Sequence, residues 1–145
     1  MKDQLAVGDK GERLFCEFYR DLEPVKSKDR AIDFHLKDGK SLELKSDDYE
    51  MSRTENFFME TLSHGKLGGP FRALQDKVDY FVYSFPRNKV YFWFSPETLC
   101  GELEKLISSN KYKIKTINNK FWTAEGYAIS REVLEPFCLK VDIFP

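Results

Sequence analysis

Residues 31–45 constrain the fold more tightly than any other stretch of the chain. Two alternating runs, Ala31-Ile-Asp-Phe-His-Leu36 and Ser41-Leu-Glu-Leu-Lys45, flank Lys37-Asp38-Gly39. Strand side chains alternate faces, so Ile32, Phe34 and Leu36 form one apolar row with Leu42 and Leu44 as partners, and Asp33, Glu43 and Lys45 fall on the opposite rows. A two-residue loop at Asp38-Gly39 would set Phe34 against Glu43 and mix the faces, because a slip of one residue inverts every side chain. A three-residue loop, with Lys37-Asp38-Gly39 as a type I turn and Gly39 left-handed, restores the rows. It predicts Leu36 opposite Lys40, Phe34 opposite Leu42 and Asp33 opposite Glu43.

That register sets two carboxylates about 5 Å apart at Cβ, an unfavourable pair on a strand. A divalent cation between them reverses the sign of the interaction, since hard cations take carboxylate oxygens. Lys45, one pleat further on the same face, points toward whatever the cation holds. The competing reading needs no function: antiparallel hairpins often bury one face and wet the other, and Asp, Glu and Lys are ordinary on the wet side.

An acid, a gap, then Glu43-Leu44-Lys45 resembles the motif of the PD-(D/E)xK nuclease superfamily, with Ile32 in place of the proline before Asp33. The resemblance covers roughly the first 95 residues. It implies an α/β fold of the α+β, mixed-sheet kind: a restriction-endonuclease-like core of helix, antiparallel hairpin, strand, helix and strand, here followed by a C-terminal helix and hairpin. It implies a metal-dependent DNA endonuclease of the phage-type or junction-resolvase kind. Asp33 and Glu43 would bind Mg²⁺, for which Mn²⁺ would substitute, and the Leu44 carbonyl would be a further ligand. Glu12 from the first helix would complete the metal cluster, and Lys45 would position or deprotonate the attacking water. A non-catalytic DNA-binding or assembly subunit on the same fold is the alternative.

The chain of 145 residues is read as one domain, with a core to about residue 95 and an extension beyond it. Thirteen Phe, seven Tyr and two Trp give it ample packing material. Lys plus Arg number 23 and Asp plus Glu 24, so a passive electrostatic nucleic-acid binder is disfavoured. Cys16, Cys100 and Cys138 lack any C-x-x-C spacing, which favours reduced thiols over a disulfide framework or zinc site. With no signal-like start and no long apolar run, a soluble, cytoplasmic protein without a membrane partner is expected. A homodimer is compatible with two-strand cleavage, although no surface in the sequence identifies itself as the interface.

Along the chain, Leu14, Phe15, Phe18, Tyr19 and Leu22 make one stripe of a helix from near Asp9, or earlier, to about Leu22. Glu12 lies near its start, where an acid also complements the helix dipole. Asp47-Asp48 reads as an exposed turn. Thr54 to Leu62 reads as a strand, and Asn56 and Glu60 on it are candidate DNA contacts. His64 to Pro70 is the most turn-like segment, with a short helix following Pro70. Lys66, Gly68 and Gly69 ahead of that helix are candidates for receiving a DNA phosphate. Asp79–Phe85 and Lys89–Phe94 read as strands about a Pro86 turn. Ser95 is the expected cap of a helix whose stripe is Leu99, Leu103, Leu106 and Ile107. A hairpin across Asn118-Asn119, a lysine row at 111, 113 and 115, a helical turn at Glu132 and a closing strand over Leu139–Phe144 complete the reading. His35 and His64 match no metal-ligand spacing.

Overall fold

The computed structural model describes residues 4–29, 32–118 and 123–145. In chain order the elements are α1 (Gln4–Phe18), β1 (Val25–Lys26), β2 (Phe34–His35), β3 (Ser41–Ser46), β4 (Asn56–Ser63), β5 (Lys66–Leu67), α2 (Gly69–Gln75), β6 (Tyr80–Phe85), β7 (Val90–Phe94), α3 (Pro96–Ser108), β8 (Lys115–Asn118), β9 (Thr123–Ser130), α4 (Arg131–Leu134) and β10 (Lys140–Ile143). The fold is mixed α/β with a mixed sheet.

The hairpin forms about the turn its chemistry dictates. Leu36 N–H donates to the Lys40 carbonyl at 2.8 Å, and Gly39 N–H to the Leu36 carbonyl at 2.9 Å. Gly39 has a φ of 87°, a region that glycine enters without a Cβ penalty. The register is Phe34 with Leu42 and His35 with Ser41, as the row argument requires. β2 is shorter than expected, however. The ladder ends at Phe34, and Ile32 leaves the row of Phe34 and Leu36 to pack against the cluster on the other side of the sheet.

β3 is the pivot. It pairs antiparallel with β2 and parallel with β6, and the six-stranded sheet runs β1-β2-β3-β6-β7-β10. On one face Phe15 of α1, and Tyr19 just past its end, lie over Phe34, Leu42, Val82 and Trp93. The other face carries Phe81, Tyr83, Phe85, Phe92 and Phe94 into the larger cluster, shared with Leu99 and Leu103 of α3 and Leu134 of α4. Near-continuous apolar runs at β6 and β7 follow from burial on both faces.

The strand expected after the motif forms as β4 but does not join this sheet. It enters a second sheet, ordered β5-β4-β9-β8, which covers the large cluster through Phe57, Met59 and Ile129. The segment read as an extension is thus woven into both sheets, β9 beside β4 and β10 beside β7. Phe57 is the keystone, its ring in edge-on contact with Tyr83, Phe92 and Phe94. Ser95 stands at the N-cap of α3 but its hydroxyl makes no capping bond, so Pro96 alone marks that start. The first helix ends at Phe18, and residues Arg20–Leu22 tighten into a 3-10 turn. The Asn119 turn, Lys120, Phe121 and Trp122 lie outside the described residues.

Gly126 of β9 faces Glu60 across the sheets' second ladder, just before a bulge between Glu60 and Leu62. A Cβ at this glycine would lie 2.8 Å from Glu60 Cα and closer still to the Met59 carbonyl, both of them backbone. Neither neighbour can step aside as a side-chain tip would. Gly126→Ala is therefore expected to destabilise the chain by about 3 kcal/mol, read from the urea midpoint.

Candidate functional site

β3 leaves Leu42 and Leu44 on the α1 side of the sheet and sends Glu43 and Lys45 to the other. There they stand in register beside Phe81 and Tyr83. The charges consequently lie at the margin of the main core. Both residues are half-buried.

Asp33 sits one residue beyond the last paired rung. Its Oδ2 accepts the Leu44 N–H at 2.7 Å, and its own N–H donates to the Leu42 carbonyl at 3.1 Å. The carboxylate takes over the ladder where β2 has ended. A strand residue's N–H and C=O point to the same side, so the Leu44 carbonyl also faces this open edge.

The two acids are poorly hydrated and repel each other. Burial pushes the Asp33 carboxyl up to about 6; the Leu44 N–H opposes the shift and the Glu12 charge adds to it. Burial and then the charge of Asp33 push Glu43 up to about 8, with Arg72 opposing. Glu43 as a residue is half-buried, but its Oε2 is fully enclosed and has no hydrogen-bond partner among the described residues. An enclosed carboxylate oxygen without a donor is costly in a folded chain.

Glu60 reaches the same neighbourhood from the second sheet. Burial raises its carboxyl, Lys45 and then Arg72 draw it back, and its charge in turn bears on Glu43. Sequence reasoning offered Glu60 only as a DNA contact; its acidic role beside Lys45 arises from the packing of one sheet on another. Charge thus links Glu43 to both Asp33 and Glu60, and Glu60 to Lys45.

Glu12 is placed differently. It pairs with Lys26 of β1 at 3.0 Å, and its charge acts on Asp33 without appearing among the influences on Glu43. α1 lies on the opposite face from Glu43, so Glu12 meets the site only around the sheet edge. It lines, with Asp9, Arg13, Cys16, Lys26 and Phe34, a cleft of about 570 Å³. Among the described residues no three His, Cys, Asp or Glu side chains form a group able to hold a metal ion.

The remaining candidates separate from the site. Asn56 is exposed at the start of β4, its N–H turned to Thr54 Oγ1 at 3.2 Å. Lys66 is exposed on β5. The phosphate cradle expected at Gly68-Gly69 is not open: Gly68 N–H donates to the Thr61 carbonyl at 3.0 Å, and the Glu60 carboxylate lies where a Cβ of Gly68 would stand. An acid occupies the place where an anion was expected. Gly69 instead serves close packing, with a φ of 51° and the Glu60 carbonyl 2.7 Å from where a Cβ would stand. Asp47 is engaged as well, accepting the Tyr83 hydroxyl at 2.6 Å and the Tyr49 N–H at 3.0 Å. His35 is exposed beside Ser27, at 3.2 Å.

No helix among the described residues is long and apolar enough to cross a membrane. No family model matches the sequence, and no curated protein and no solved structure matches it either.

Proposed function

We propose that the chain is a metal-dependent DNA endonuclease that hydrolyses phosphodiester bonds with water as the nucleophile. The observation that carries this reading is the Asp33–Glu43 pair on the strand that also carries Lys45: two buried acids, Asp33 raising Glu43, and a Glu43 oxygen that has no donor among the described residues. Arg72 and Lys26 offset part of this charge, and a cation bound between the acids would offset the rest. The succession α1, β1 to β3, α2 and β6, with β6 parallel to β3, is in keeping with the resemblance of the motif, while the strand it implies between β3 and α2 lies in the second sheet.

The donor set is all oxygen, which suits Mg²⁺ or Mn²⁺. Asp33, Glu43 and the Leu44 carbonyl would hold the ion. When bound, a divalent cation supplies Lewis acidity toward a phosphoryl oxygen and lowers the pKa of a bound water. The side chains have defined tasks around it. Lys45 holds the attacking water and offsets charge that develops on the phosphate. Glu60 would attract the Lys45 ammonium, whose charge already draws its carboxyl down. Arg13 and Lys26 line the cleft beside Glu12, Lys26 paired to it at 3.0 Å, and would meet the phosphates of a strand arriving at the sheet edge. No covalent intermediate is needed.

The test is cleavage of labelled duplex, single-stranded, flap and four-way-junction DNA in Mg²⁺, Mn²⁺ and chelator. Wild-type chain is expected to cut at least one of these with either cation and none in chelator. Lys45→Ala is expected to lower the rate by about 10²–10⁴-fold with an unchanged circular-dichroism spectrum. A wild-type chain that binds DNA but never cuts it would shift the reading to a non-catalytic subunit.

A further inference from the structure

We infer that β10 is a self-association edge, and that two copies of this chain pair antiparallel through it about a two-fold axis at Val141. This rests on the sheet edge alone and not on the nuclease reading.

β10 is the last strand of the six-stranded sheet, and among the described residues nothing pairs with its outer side. Natural sheets protect such an edge with charge, proline or a cover. Here the exposed row is apolar: Leu139 is 57 % exposed, Val141 41 % and Ile143 73 %. The one lysine of the strand lies on the opposite face from that row and is itself half-exposed. Lys140 Nζ lies 4.6 Å from the centre of the Trp93 ring and 3.2 Å from Asp142 Oδ2. Asp142 also accepts the Tyr19 hydroxyl at 2.6 Å, which locks this side of the strand onto the core.

Backbone phase and side-chain charge select the same partner. Phe144 N–H donates to the Lys89 carbonyl at 3.0 Å in the register that pairs Asp142 with Tyr91 and Lys140 with Trp93. Ladder bonds alternate along an antiparallel pair, so the N–H and C=O of Val141 and Ile143 point outward. A second β10 centred on Val141 receives those groups. Each Val141 N–H then donates to the other's Val141 carbonyl, and Ile143 lies beside the partner's Leu139, whose own N–H is taken by the Trp93 carbonyl at 2.8 Å. The same register sets Lys140 opposite the partner's Asp142 twice over, in the closely spaced non-hydrogen-bonded positions where opposite charges stabilise. Centring the axis on Leu139 or Ile143 loses both ion pairs.

A second copy satisfies its own edge as it covers the first, so the pairing closes at two. The opposite edge of the sheet offers no rival, because β1 is only two residues long.

Sedimentation of the full chain over a range of concentrations, with hydrogen exchange read at each, tests the inference. The expected mass rises from 17.1 kDa to twice that value, and the Val141 and Ile143 amides slow in step with the mass. Val141→Pro removes only an outward N–H, a change that edge strands tolerate. It is expected to halve the mass while leaving circular dichroism unchanged. A wild-type chain that stays at one mass throughout would overturn the inference. So would a dimer whose Val141 and Ile143 amides exchange independently of concentration, or a folded Val141→Pro chain that remains dimeric.

Discussion

Glu43→Gln is expected to make the folded chain more stable at pH 8 in chelator and at the same time to abolish cation-dependent cleavage. The folded Glu43 carboxyl titrates at about 8, against 4.5 for the free group, so the folded state holds more protons than the unfolded state between those values. Stability from this group is whole below pH 4.5 and is lost as pH climbs through 8. Asp33, raised from 3.8 to about 6, works in the same direction over a lower window. Wild-type chain in chelator should therefore melt lower at pH 8 than at pH 6, by about 2 kcal/mol or roughly 4–8 °C. Gln cannot ionise, and its amide can donate to the Asp33 carboxylate, so the variant should lose most of that slope.

A cation reverses the balance for the wild type. Mg²⁺ favours the ionised pair, so it should raise the wild-type melting temperature more at pH 8 than at pH 6. At ten times the dissociation constant the stabilisation is about 1.4 kcal/mol. In Glu43→Gln this rise should vanish and cleavage should fall by about 10³-fold, the loss of several kcal/mol of transition-state stabilisation. Melting curves at pH 6 and 8, with and without Mg²⁺, decide it. A wild-type chain indifferent to both proton and cation would mean that the Glu43 oxygen has found another partner, and the proposed site would fail with it.

The sequence made the hairpin legible because three independent constraints agreed on it: the alternation of Phe34 and Leu36 with Leu42 and Leu44, the loop length, and the need for a left-handed glycine at Gly39. Where only one constraint operated, the reading stopped short. Thr54 to Leu62 showed the period of a strand, but periodicity reports which side chains share a face and says nothing about which sheet receives them. β4 accordingly formed in a second sheet, and with it Glu60 moved from a DNA-contact candidate to a neighbour of Lys45. β1, at two residues, is below the length at which alternation can be seen, so the Lys26 partner of Glu12 went unforeseen. Gly68-Gly69 carried the composition of an anion-binding turn, yet a side chain 8 residues upstream fills it. That contact is set by the β4–β5 turn and leaves no mark in local composition.

The sharpest separation of structure from chemistry comes from Asp33, which has two jobs that different substitutions divide. Its Oδ2 caps the Leu44 N–H, a donor that no longer has a strand beside it. Asp33→Asn retains an acceptor at that position and removes the charge, so the fold should survive with stability within about 1 kcal/mol of wild type. Asp33→Ala leaves the Leu44 N–H without its partner and should cost about 1–3 kcal/mol, measured by urea denaturation at pH 7. If the carboxylate also holds the cation, both variants lose cleavage alike, by about 10³-fold, although only one of them loses stability. That pattern, equal in activity and unequal in stability, is what a residue with both duties must give. A pure cap predicts the reverse ordering, with Asp33→Asn still cutting DNA at the wild-type rate. That single result would remove Asp33 from the metal site and reduce the acidic pair to a device for ending β2.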